Sequence, residues 1–158
     1  MDGHIKTRFH DMGKSFHFKW EKEYSVGIYQ IDVEHKEIIK LINGLLPFFD
    51  LNDAEFQKTF ILMVQSVIEY FRHHFENEEK IMLEKHYPKY QEHKENHNKM
   101  LIDINNLMKE ISENNKMGIK KVIVYFQEWL LEHFWILDKE MGKYFIKSAQ
   151  NNNLSDIV

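Results

Sequence analysis

The chain has 158 residues, 43% apolar and 14% aromatic, enough for one domain with a filled core. A formal net charge of −4 speaks against nucleic acid as a partner, and the absence of cysteine excludes disulfides, thiolate metal sites and thiol redox chemistry. No run approaches the roughly 18 apolar residues of a membrane span, and the opening MDGHIKTRFHDMGK lacks the apolar centre of a signal peptide, so a cytoplasmic protein is expected.

Residues 1–30 show no clear periodicity but carry Phe16, Phe18, Trp20 and Tyr24, an aromatic arm expected to pack on the rest of the chain. A first helix is expected from about Asp32 to Phe49, because Ile31, His35, Ile38, Ile42 and Leu45 form one stripe. Asp50 to Asp53 supplies a turn with capping residues. A second helix follows from Asp53 to about Lys85, with Phe56, Phe60, Met63, Val67, Phe71, His74, Glu78 and Ile81 on its inner face. Pro88 opens a third helix, striped by Tyr90, His93, His97, Met100, Ile104, Leu107 and Ile111. After a polar turn at Ser112 to Lys116, a fourth helix runs from Met117 to about Lys147, with Val122, Phe126, Trp129, His133, Leu137, Met141 and Tyr144 inward. Four amphipathic helices with short connections predict an all-α fold, an up-down-up-down antiparallel four-helix bundle with an N-terminal aromatic arm. The expected divisions are the arm at 1–30, the bundle at 31–148 and a polar tail at 149–158.

The stripes are interrupted by polar residues. His35, His74, Glu78, His93, His97 and His133 all occupy core-facing positions, and every helix contributes at least one. His74-x-x-x-Glu78 and His93-x-x-x-His97 place two side chains on one face, one turn apart. At about 1.5 Å per residue, all six reach one layer near one end of an antiparallel bundle. A buried carboxylate is normally paired or bound to a metal, so the layer reads as a metal site. Asp138 follows His133 by five residues, about 140° away on an ideal helix. A local π-type widening brings the two onto one face, and such widenings favour functional sites. His73 sits beside His74 on the solvent side, and Glu76, Glu79, Lys80, Glu84 and Lys85 read as a solvated face. One tetrahedral zinc needs at most four ligands, so a convergent set of this size favours two metals.

The set His35, His74-x-x-x-Glu78, His93-x-x-x-His97 and His133-x-x-x-x-Asp138 resembles the ligand signature of the hemerythrins. The surrounding residues resemble the bacterial branch: Trp20, Tyr24-Ser-Val-Gly-Ile28, Ile31-Asp-x-x-His-Lys36, His74-Phe-x-x-Glu-Glu79, Tyr87-Pro88 and Trp129-Leu-x-x-His133. The resemblance covers about residues 16–147. It implies a non-haem di-iron centre, Fe2+ or Fe3+ with an oxo or hydroxo bridge, that takes dioxygen as a reversible ligand. It also implies that His93, His97 and His133 hold one iron, that His35 and His74 hold the other, and that Glu78 and Asp138 bridge them. Given two six-coordinate irons, five histidines, two bridging carboxylates and one oxygen bridge leave a single open position, on the iron with two histidines. Ile38, Phe75, Trp129 and Phe134 are the expected dry lining of that position. The resulting expectation is an oxygen-binding protein for carriage, storage or delivery rather than an enzyme. The alternatives are an oxygen or redox sensor acting through an unidentified protein partner, and a di-iron peroxidase or nitric-oxide-handling enzyme.

Overall fold

In the computed structural model, which describes residues 17–49, 54–112 and 116–155, each of the four stripes forms a helix. α1 is Tyr29–Gly44, α2 Ala54–Glu84, α3 Tyr90–Ser112, α4 Lys116–Glu132 and α5 Lys139–Ser155. A π-helical turn, His133–Asp138, joins α4 to α5 without a break. The described residues therefore make four helical rods and contain no strand. Consecutive rods pack on one another, and α1 also packs on α4, which closes the set around a shared interior. Among the described residues, no helix is long and apolar enough to cross a membrane.

The ends of the helices follow local chemistry rather than the stripes. α1 begins at Tyr29, before the expected Asp32, because Asp32 does not cap it. The Asp32 carboxylate instead accepts from the Val26 amide at 2.8 Å and the Ser25 hydroxyl at 2.5 Å, holding the turn that leads into the helix. α1 stops at Gly44, short of the expected Phe49, because Pro47 has no amide hydrogen to donate; Leu46–Phe48 forms one 3₁₀ turn instead. α2 ends on His86 in the left-handed region (φ 52°), where the Tyr87 amide reaches back to the Met82 carbonyl at 2.9 Å. That is a Schellman closure with a proline just beyond it. The last rod runs to Ser155, beyond the end expected near Lys147. Phe56, expected on the buried face of α2, is 45% exposed and meets Phe48 edge-on near the helix start. The expected turn at Asp50 to Asp53 and the aromatic Phe16 lie outside the described residues.

Among the described residues the interior has two apolar clusters of unequal size. The larger contains Ile38, Phe60, Phe71, Met100, Ile104, Phe126 and Leu130, and the smaller contains Met82, Tyr87 and Met141 with Ile28, Tyr90, Tyr144 and Phe145 against it. On every rod the polar core residues fall between a residue of the large cluster and one in or against the small, which for α1 is Ile28 just before the helix. They form a layer with apolar packing on both sides.

The segment before α1 is fastened to this frame. The Asn43 amide side chain bonds both the amide and the carbonyl of Phe18, at 2.9 and 2.7 Å. Lys139 donates to the carbonyls of Glu23 and Ser25. Gly27 takes a positive φ of 80° that lets the chain turn into α1. Gly142 lies directly under Val26: a Cβ there would collide with the Val26 carbonyl oxygen and sit 2.9 Å from its carbonyl carbon. Gly142→Ala is therefore expected to lower stability by about 1–3 kcal/mol, the usual cost of overpacking, and to speed amide exchange at Val26. Unchanged denaturation and exchange would contradict the fit.

Candidate metal centre

The seven polar residues singled out above come together in the layer between the two clusters. α1 supplies His35, α2 His74 and Glu78, α3 His93 and His97, and the π turn His133 and Asp138. None is more than 2% exposed. The pairs on α2 and α3 face inward because a four-residue spacing stacks side chains one turn apart. The π turn does the same for a five-residue spacing, so that His133 Nε2 stands 3.0 Å from Asp138 Oδ1. The expected widening is present, and it spans these two residues.

Two overlapping sets of donor atoms result. Glu78, His93, His97 and His133 form one, and His35, His74, Glu78 and Asp138 the other, with the donor atoms of each within 4.8 Å of one another. Glu78 is common to both. Asp138 also faces both ways, with Oδ1 3.1 Å from His93 Nε2 and Oδ2 3.2 Å from His35 Nε2. Glu78 Oε2 lies 3.3 Å from His97 Nε2, 3.4 Å from His93 Nε2 and 3.9 Å from His74 Nε2.

The donor set fits metal ions. His133 Nε2 stands 3.2 Å from His93 Nε2 and 3.0 Å from His97 Nε2. Imidazole nitrogens about 2.1 Å from one ion and at right angles to each other lie about 3.0 Å apart. Without a metal ion, these three nitrogens avoid opposing lone pairs only by sharing protons. Both oxygens of Glu78, both of Asp138, and Nε2 of His35 and His74 are buried without a hydrogen bond among the described residues. Two enclosed carboxylates left so would each cost several kcal/mol.

The far side of three imidazoles is fixed by residues that periodicity did not single out. His74 Nδ1 meets Glu34 Oε2 at 2.8 Å, His97 Nδ1 meets Glu79 Oε1 at 3.2 Å, and His133 Nδ1 meets Asn96 Oδ1 at 2.8 Å. Glu79 therefore does not belong to the solvated face assigned from its sequence position: its side chain is 17% exposed and also binds Lys94 at 2.8 Å. Each of the three is the chain neighbour of an inward residue, and each grips the imidazole of the following rod. That adjacency is the sequence signal. The Nδ1 atoms of His35 and His93 are buried without such a partner among the described residues.

Aromatic rings cover the imidazoles. Phe134 stacks on His35 with ring centres 3.5 Å apart, Phe75 on His97 at 3.8 Å and Trp129 on His133 at 4.2 Å. Ile38, the fourth expected lining residue, is fully buried in the large cluster. Trp20, before α1, has its ring centre 6.4 Å from that of His35.

In the layer, burial and neighbouring charge compete at each titratable group. Burial alone disfavours a charged His74, but the Glu78 carboxylate, with Glu34 and Asp138, outweighs burial and raises its pKa. Burial is likewise overcome at His93, where Asp138 and Glu78 raise the value to about 10. At His133 burial prevails, and the pKa falls to about 4. Burial also opposes ionisation of Glu78 and Asp138, yet the surrounding imidazoles hold both below the ordinary carboxylate range.

Residues 26–144 match the family model described as Hemerythrin HHE cation binding domain. The chain is also 27% identical over 128 residues to a protein named Bacteriohemerythrin from Clostridium acetobutylicum, an alignment covering 78% of this chain and 97% of that one.

The raised pKa of His93 gives a pH dependence. A ligating imidazole must lose its proton, so loading the metal-free protein near pH 7 is expected to release a proton from His93, measurable in weakly buffered solution. Metal affinity should accordingly rise with pH. His93 binds its proton more tightly folded than unfolded, so its contribution to metal-free stability is complete below its ordinary value of 6.5 and is lost as pH rises through about 10. Loading without proton release would contradict this charge arrangement.

Proposed function

The chain belongs to the hemerythrin family, and on that premise we propose that it binds dioxygen reversibly, for carriage, storage or delivery, at a non-haem di-iron centre. The observation that carries this reading is the pair of donor sets sharing Glu78, with Asp138 facing both. In it, His93, His97 and His133 hold one iron, His35 and His74 the other, and Glu78 and Asp138 bridge. Iron held by these residues would supply reversible one-electron chemistry and a place for a small ligand.

The chain's own residues then have two tasks. The first is to orient the imidazoles, which Glu34, Glu79 and Asn96 do through the outer nitrogens. The second is to exclude water. Phe134 on His35 and Phe75 on His97, with Ile38 and Trp129, form the dry lining in this reading, so that protons and water are kept from the bound ligand. A ligand set with more imidazole than carboxylate favours binding over turnover, so we read the protein as a carrier rather than an enzyme.

We also read the rods as an up-down-up-down antiparallel bundle. Supporting this, α1 and α3 run from the small apolar cluster through the polar layer to the large one, while α2 and the α4–α5 rod run the opposite way. In the same reading residues 17–24 form an aromatic arm that shields the site end, supported by the placement of Trp20 beside His35.

The test is optical. Iron-loaded protein, reduced without oxygen, is expected to gain a visible absorption band in air and to lose it on degassing, over repeated cycles. One-way conversion to a stable ferric spectrum would overturn reversible binding.

A further inference from the structure

The outer partners of the imidazoles are not equivalent. Glu34 is 7% exposed, and both of its oxygens are used. Oε2 meets His74 Nδ1 at 2.8 Å, while Oε1 accepts from the Asn77 amide at 2.8 Å and the Gln30 amide at 3.2 Å. All three neighbours are uncharged when His74 is neutral. Among the described residues no lysine or arginine comes within ion-pair distance of Glu34. Glu79, by contrast, divides its charge between His97 and the Lys94 ammonium. Asn96, the partner of His133, carries no charge.

His74 is thus the one imidazole among the described residues backed by a carboxylate with no cation of its own. In neutral His74, Nδ1 donating to Glu34 leaves the Nε2 lone pair pointing into the layer toward Glu78. A carboxylate behind an imidazole fixes the tautomer and makes the inner nitrogen a stronger donor. In the ligand assignment given above, His74 belongs to the two-histidine ion, the one with the open position. The other histidine of that ion, His35, has no outer partner among the described residues, but it is the chain neighbour of Glu34 on α1. Glu34 therefore ties the open-position half of the centre together, connecting the rod that carries His35 to the rod that carries His74.

We infer that Glu34 is a positioning residue that holds His74 and enriches its donation, so that it sets the affinity and reduction potential of the two-histidine iron. This rests on the di-iron reading. The partners Asn77 and Gln30 keep the carboxylate from turning away, and the lack of a counter-cation directs its charge through His74 to the metal.

The experiment compares the natural chain with Glu34→Gln and Glu34→Ala, adding Fe2+ anaerobically to metal-free protein against a chelator and then measuring reduction potentials. Gln keeps an acceptor for His74 but removes the charge. In Glu34→Gln the first iron is expected to bind normally, the second about 10- to 100-fold more weakly, as for other outer-shell changes, and the potential to rise. In Glu34→Ala the second iron should be lost. Glu79→Gln, where the charge is already offset by Lys94, should move the potential less. A Glu34→Gln chain that takes two irons with natural affinity and unchanged potential would overturn the inference. A natural chain that fails to take two irons would instead sink the di-iron reading itself.

Discussion

Two carboxylates, Glu78 and Asp138, are sealed among five imidazoles in the middle of an apolar interior, and the rest of the structure depends on satisfying them. Neither has a hydrogen bond within the described residues. Both are fully buried from bulk solvent. Positive charge in the layer stabilises them, whether a proton on His93 or metal ions. The family match and the donor geometry point the same way. Stability and metal chemistry are thus two aspects of one arrangement.

The frame around the layer is built to hold it still. Large aromatic side chains, Phe71 and Phe126 among them, pack on one side, and Met82, Tyr87 and Met141 close the other. Three imidazoles are gripped from behind by the neighbouring rod: α1 holds His74, α2 holds His97 and α3 holds His133. The grip passes along the chain, each rod orienting an imidazole of the next. It makes the site a product of helix packing, so a shift of one rod would turn an imidazole on another.

The layer itself was legible from the sequence because its polar residues obey the same helical period as the core. His74 and Glu78, and His93 and His97, lie on stripes of Phe, Ile and Met, and a buried stripe fixes where they point. The spacing of His133 and Asp138 breaks that period, and only a π turn reconciles it; the mismatch itself was the signal. Glu34, Glu79 and Asn96 were not legible in this way. They lie about 100° from the stripe, where a polar residue normally meets water, and their role depends on how close the next rod comes. Helix ends were also hidden, since Asp32 reads as a cap but bonds backward to Ser25 and Val26. Phe56 fits the stripe of α2 yet is largely exposed, because it sits near the start of the helix, where there is less to pack against.

The most direct test of the central claim is diffraction from crystals of the iron-loaded protein, recorded at the iron absorption edge. The account predicts two anomalous peaks per chain, both between Glu78 and Asp138, separated by about 3.5–4 Å as in other two-metal sites. A single peak, or peaks away from these carboxylates, would contradict it.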